Sequence, residues 1–384
     1  MELLFGIITG LLALIFLVVL HELGHAIVAR RNGVVVEEFG IGFPPRAWVK
    51  KVKQSFLGKN VEVSLNWLPL GGFVKLKGEY DSADKKGDYG AASYWVKTKI
   101  LLAGVGVNWL TAAVLLSILA ATGLPKVIPN QFAVASDSRE VYGPVQLTAV
   151  SANFPAQKAG LEAGDVIKSI AGVEVTSSQQ MIDITKERQG QKIAVVYQRD
   201  GDEASAEVAL KDGDGPVFGA GLGQSTKSYA TWSAPVVGTV VAGQLTWETL
   251  KGIGQLFANL GSGLVSQLST DDKVRQAGGA DLSAAGDSVA GPVGILGVIF
   301  PAAQQAGLTQ LTLLVAIVSI ALAVMNTLPI PALDGGRWFT MTIFRILKKP
   351  LTKEREEAIQ TTGFLVLMAL IVVVTVADVG KFVK

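Results

Sequence analysis

The sequence predicts a polytopic α-helical membrane protein of about four transmembrane helices, with a membrane-associated β-hairpin or sheet and one inserted soluble α/β module. Three observations carry this. Apolar residues make up 49% of the 384 positions, charged residues only 17%, and mean hydropathy is +0.42. Four apolar stretches are long enough for a hydrocarbon core of about 30 Å, which takes roughly 20 helical residues. Between the second and third of them lies a mixed region with the alternation and turn signals of a folded domain. The 34 basic and 32 acidic residues leave a net charge of +2, far from the strongly basic face a nucleic-acid binder would show. There is no cysteine, which excludes disulfides and thiolate chemistry, and the two histidines are His21 and His25.

The first span runs from Leu3 to about Ala29 and carries His21, Glu22 and His25; it lacks the basic start and small-residue cleavage site of a signal peptide. The others are expected near 100–124, 311–330 and 363–376. Arg30, Arg31, Arg46, Lys50, Lys51 and Lys53 follow the first span, and Arg345, Lys348, Lys349, Lys353 and Arg355 follow the third. By the positive-inside bias those loops are cytoplasmic, so both termini and the segment of about 125–310 fall outside. This gives a helix over 1–30, a cytoplasmic or membrane-associated β region over 31–99, and a second helix over 100–124. An extracytoplasmic module over 127–225 and an amphipathic extracytoplasmic region over 232–310 come next. A third helical segment over 311–347 and a fourth over 360–380 complete the chain.

Within 61–78, Val61, Val63 and Leu65 alternate and Phe73 and Val74 follow a Gly71-Gly72 break, predicting two short strands joined at Pro69–Gly72. Such a hairpin is either a small packing element or an edge that accepts an extended peptide by strand addition. In the module, Val145, Leu147 and Ala149 alternate, Ser178–Arg188 reads as a capped helix, Gln191–Gln198 as a strand, and Arg199-Asp200-Gly201-Asp202 as a hairpin turn. Its order and the phrase Ala159-Gly160-Leu161-x-Ala163-Gly164-Asp165-Val166-Ile167 resemble a PDZ domain. Further on, Leu245, Leu250, Ile253, Leu256, Phe257 and Leu260 recur at helical spacing, and 271–287 reads as a polar loop.

His21-Glu22-Leu23-Gly24-His25 places two imidazoles on one helix face with a carboxylate beside them, the pattern of a zinc hydrolase. The context sharpens it, because ionisable groups inside a span cost about 2.5 to 3.5 kcal/mol unless paired or in an aqueous cavity. A hydrolytic zinc takes three protein ligands and lowers the pKa of water toward about 7, so that a carboxylate can accept its proton. With no cysteine or further histidine, the third ligand must be acidic. Asp334 sits at the cytoplasmic end of the third span, where prolines and glycines break the helix and non-helical backbone implies a cavity. Asp378 falls at the opposite face and is rejected.

These motifs, together with Asn326…Pro329-x-Pro331-x-Leu333-Asp334-Gly335-Gly336, Gly71-Gly72-Phe73-Val74-Lys75 and Gly291-Pro292-Val293-Gly294, resemble the site-2 protease family of bacterial intramembrane zinc metalloproteases. The resemblance departs in carrying one PDZ module rather than two, and Val105 where many members have proline. It implies Zn2+ on His21, His25 and Asp334, water activation by Glu22, and substrate or oxyanion contact by Asn326. It also implies that Gly71, Gly72, Phe73 and Val74 clamp an unwound substrate strand. The implied role is regulated intramembrane proteolysis in the bacterial inner membrane. Its substrates would be pre-trimmed single-span proteins such as anti-sigma factors or signal-peptide remnants. A catalytically dead scaffold would need neither Glu22 nor Asp334.

Overall fold

The computed structural model describes residues 1–213, 215–287 and 291–383. Asp214, inside the predicted module, and residues 288–290, inside the predicted 232–310 region, lie outside the described residues. Two compact units divide the chain: 1–118 with 238–384, and 119–237.

The first unit opens with helix α1, Glu2–Arg31, whose apolar run ends where Arg30 and Arg31 complement the helix dipole and Asn32 Nδ2 donates to the Val28 carbonyl at 2.8 Å. Strands β1 (Val36–Ser55) and β2 (Gly58–Leu76) follow. The predicted turn at Pro69–Gly72 is not a simple hairpin loop. Instead the tight turn lies at Phe56–Leu57, and Trp48 pairs with Leu65, Lys50 with Val63 and Val52 with Val61. Residues 38–41 are partnered twice, by 62–65 and by 72–75, because β2 bends back through 68–71. Strand β1 lies within the β region expected over 31–99, but its lysines and arginine and its exposed side chains from Phe43 to Lys51 leave no alternation that would mark it as a strand of its own. Val36, Phe39, Val61 and Leu76 bury one face against Ala26 and Ala29 of α1. Helix α2, Tyr94–Thr122, then begins six residues before the predicted span.

The second unit holds a sheet of seven strands: β3 (Leu124–Pro125), β4 (Arg139–Val150), β5 (Val166–Ile170), β6 (Val173–Glu174), β7 (Lys192–Arg199), β8 (Asp202–Ala209) and β9 (Ala220–Tyr229). Their order is β3-β9-β4-β5-β7-β8, with β6 on β5. Two helices interrupt it, α3 (Pro155–Lys158) and α4 (Ser178–Glu187), giving the order read from the sequence. Ser177 caps α4 by accepting from Gln180 N–H at 3.1 Å. Asp200 and Gly201, at φ 52° and 97°, make the two-residue turn between β7 and β8. Val145, Leu147, Ile167, Ile170, Met181 and Val195 form the core. The phrase around Asp165 closes on Arg199, whose Nε and Nη2 donate to the two carboxylate oxygens at 2.7 and 2.8 Å. That fork holds the Asp165 carboxyl below the usual carboxylate range.

Returning to the first unit, α5 (Ala234–Gln267) is followed by α6 (Asp272–Asp287), so the predicted polar loop over 271–287 is a helix. Its alanines favour helix, and Asp271 starts it by accepting from Lys273 N–H at 2.8 Å. Pro292–Gly294 (α7), a wide turn over Ile295–Ile299 and Phe300–Gln305 (α8) lead into α9, Leu308–Met325. Helix α9 stops five residues short of the predicted Ile330, because Pro329 and Pro331 cannot continue it. Helices α10 (Asp334–Ile346) and α11 (Lys353–Val383) end the chain. Among the described residues, α1, α2, α9 and α11 are long and apolar enough to cross a membrane.

Candidate metal centre

One turn of α1 separates His21 from His25, so their rings stand on one face with centroids 4.7 Å apart. Both are 7% exposed. Their Nε2 atoms are 3.1 Å apart, and Asp334 Oδ2 lies 3.0 Å from the first and 3.2 Å from the second. More than three hundred residues of chain intervene, yet the carboxylate predicted as the third ligand meets both imidazoles.

Local chemistry puts the carboxylate there. After α9 ends, Gly335 N–H donates to the Asn326 carbonyl at 2.7 Å and Leu333 N–H to that of Ile330 at 3.1 Å, folding 326–333 into turns that start α10 at Asp334. Helix α11 braces this segment. Gln360 Oε1 accepts from Ala332 N–H at 2.7 Å, and a Cβ at Gly363 would stand 2.6 Å from the Pro331 carbonyl. Three residues after Asp334, Arg337 donates to Glu356 Oε1 at 3.1 Å and to the Glu79 carbonyl, with its guanidinium 4.6 Å from the Tyr89 ring centre. Burial pushes the Glu79 carboxyl above its ordinary range, opposed by the Leu76 N–H that it accepts at 2.7 Å. A polar cavity of about 320 Å³ bounded by Glu79, Tyr80, Asp334, Arg337, Glu356 and Gln360 reaches the carboxylate, a lining that suits an ionisable group.

Helix α2 backs the histidines. Gly104 faces them directly: a Cβ there would lie 2.5 Å from His25 Nε2 and 2.6 Å from His21 Nε2. His25 Nδ1–H donates to the Ile100 carbonyl at 2.7 Å. Asn108, which the sequence reading left without a role, stands with Nδ2 at 3.3 Å from His21 Nδ1. Its one available signal is its spacing, since Ile100, Gly104 and Asn108 recur every four residues on one helix face.

The Gly71–Val74 segment comes close to Glu22. A Cβ at Gly72 would be in ordinary contact with Glu22 Cγ at 3.5 Å and tight against the Gly40 carbonyl at 3.0 Å, so this strand runs directly beside Glu22. Residues 72–75 pair with 38–41 along one side and have no second strand partner among the described residues. Phe73 packs over Gly40, and Val74 pairs with Phe39. Asn326 Nδ2 donates to the Leu322 carbonyl of its own helix at 3.0 Å, while its backbone carbonyl accepts from Gly335 N–H beside Asp334.

The donor set fits zinc. Two neutral imidazole nitrogens and one carboxylate oxygen are a hydrolytic zinc's usual ligands, and bonds of about 2.0–2.1 Å in a tetrahedron set ligand atoms roughly 3.3 Å apart. The three separations here are 3.0, 3.1 and 3.2 Å.

Fold and site together define a multi-pass membrane metallohydrolase. The Peptidase family M50 model matches residues 9–370, and the chain belongs to that family, the site-2 proteases; it is a zinc metalloendopeptidase. A Clostridium perfringens member is 33% identical over 374 residues, covering 97% of this chain and 98% of the relative. The Bacillus subtilis "Regulator of sigma-W protease RasP" is 26% identical over 449 residues, 95% of this chain and 96% of that one. The Mycobacterium tuberculosis "Zinc metalloprotease Rip1" is 28% identical over 403 residues, 98% and 94% respectively. Among solved structures, the PDZ domain of a Listeria monocytogenes SdrC-like protein is 28% identical, covering 21% of this chain and 90% of that one with a TM-score of 0.20.

Proposed function

We propose that this zinc endopeptidase cuts transmembrane segments of pre-trimmed, single-span membrane proteins in regulated intramembrane proteolysis, with His21, His25 and Asp334 holding the zinc. The observation that supports it best is the position of an unpaired strand edge, 72–75, against the helix turn that carries Glu22. A transmembrane helix satisfies its own carbonyls, so it must unwind before a peptide bond can be attacked, and an added strand on that edge satisfies the backbone groups so exposed. Phe73 and Val74 offer the side chains along which the strand lies. Bound zinc supplies Lewis acidity and a lowered pKa for water. Glu22 accepts the water's proton and returns it to the leaving amine. Asn326 Nδ2, on turning from the Leu322 carbonyl, donates to the substrate backbone or to the oxygen on which negative charge develops. The positive-inside bias of the basic loops supports a module at 127–225 on the outer side of the inner membrane, where it would meet substrates such as trimmed anti-sigma factors or signal-peptide remnants before they reach the site.

The test is full-length protein in detergent with a single-span substrate. Glu22→Gln keeps its zinc and loses about 10²–10⁴-fold in cleavage rate, the usual range for general acid–base catalysis. A Glu22→Gln protein that still cuts the span rejects the proton-transfer role, and cleavage outside the span rejects the intramembrane reading.

A further inference from the structure

We infer that Asn108 is a positioning residue for the metal centre: its Oδ1 accepts a hydrogen bond from His21 Nδ1–H and so presents the Nε2 lone pair to the ion. The inference rests on the ligand role proposed for His21. A neutral imidazole has one hydrogen, and a ring that offers Nε2 to a metal must carry it on Nδ1, which then needs an acceptor. For His25 that acceptor is the Ile100 carbonyl at 2.7 Å, an atom that can only accept. For His21 the partner at 3.3 Å is the Asn108 carboxamide, with Nδ2 as the near atom. In that orientation two donors face each other once Nε2 is engaged, and Asn108 Oδ1 is left buried with no hydrogen-bond partner. At a site 1% exposed, a carbonyl oxygen without a donor has given up its water for nothing, which disfavours that orientation. A half-turn of the carboxamide exchanges its ends and brings Oδ1 to Nδ1–H, which ends the donor–donor conflict and gives the carbonyl oxygen a donor, with Nδ2 taking the place that Oδ1 held.

The rest of the surroundings hold this residue in place. Ser319 Oγ of α9 donates to the Asn108 backbone carbonyl at 2.8 Å, anchoring α2 at this turn. Three consecutive turns of α2 thus serve the two rings in sequence: the Ile100 carbonyl orients His25, Gly104 leaves space for both rings, and Asn108 orients His21. Asn108 touches neither the ion nor the substrate and acts only through the imidazole.

The readout is zinc dissociation from the full-length protein in detergent under excess chelator. Asn108→Leu, similar in volume and without an acceptor, releases zinc 10–100-fold faster, the usual cost of losing such a partner. Asn108→Asp, which keeps an acceptor oxygen, holds zinc within a few-fold of wild type. Loss of zinc retention in both variants alike, or in neither, overturns the inference. Should the Leu protein fail to extract as a folded species, Asn108→Asp alone decides. An amide that donates predicts rapid zinc release from the Asp protein, an amide that accepts predicts retention. His21→Ala runs alongside, and zinc retained by that variant overturns the ligand role itself.

Discussion

The two halves of the metal centre are built in opposite ways. His21 and His25 lie on an unbroken helix, where a four-residue spacing alone puts both rings on one face. Asp334 opens a helix that begins only after α9 has been broken, and its place depends on turns at 326–333 and on contacts from α11. The spacing of the histidines is therefore fixed by local geometry, with α2 setting only how their rings are oriented, whereas the very position of the aspartate depends on tertiary packing.

The largest effect is expected from removing one of the proposed ligands on either side. If these side chains hold the zinc, Asp334→Asn and His25→Ala should each lose bound zinc on purification and lose cleavage by more than about 10³-fold, because a bound zinc would supply the lowered pKa of the attacking water. Elemental analysis of zinc checks this, and full zinc content in Asp334→Asn would break the equivalence of the two halves. Next comes Gly104→Ala, which places a methyl 2.5–2.6 Å from both Nε2 atoms. Overpacking of this kind costs about 1–3 kcal/mol, and here the rings must rotate to relieve it. Zinc retention should fall while α1 stays helical; an unchanged zinc off-rate would show that α2 does not define the histidine half. The smallest effect lies in the module. Asp165 titrates below its unfolded value of about 3.9 because of Arg199, so this pair stabilises the module fully above pH 4. The contribution is lost as pH falls through the folded value. Asp165→Asn should cost about 2 kcal/mol near neutrality and flatten the acid dependence, read as hydrogen exchange at β5 and β7 amides. Metal content should not change, which separates this unit from the other.

What the sequence disclosed follows the same division. His21, Glu22 and His25 declare themselves because the pattern sits inside a lipid-soluble run; the lack of cysteine and further histidine makes the third ligand acidic, and the broken helix end at the third span singles out Asp334. Strand β1 and helix α6 did not declare themselves. The first carries its lysines on an exposed sheet face, and the second is polar enough to read as loop. Asn108 stayed hidden for a different reason: a single asparagine in an apolar helix acquires meaning only when another helix sets an imidazole beside it. Asn326 illustrates the converse, a motif residue whose amide is engaged within its own helix.

Helix α11 contributes no donor atom, yet Gln360, Gly363 and Glu356 support the loop and the arginine that flank Asp334. A frameshift or stop codon shortly after residue 350 would leave every recognisable signature legible in the gene while removing the side chains that brace the turn before Asp334 and the arginine after it. For this chain, counting signatures in a genome is not the same as counting working proteases.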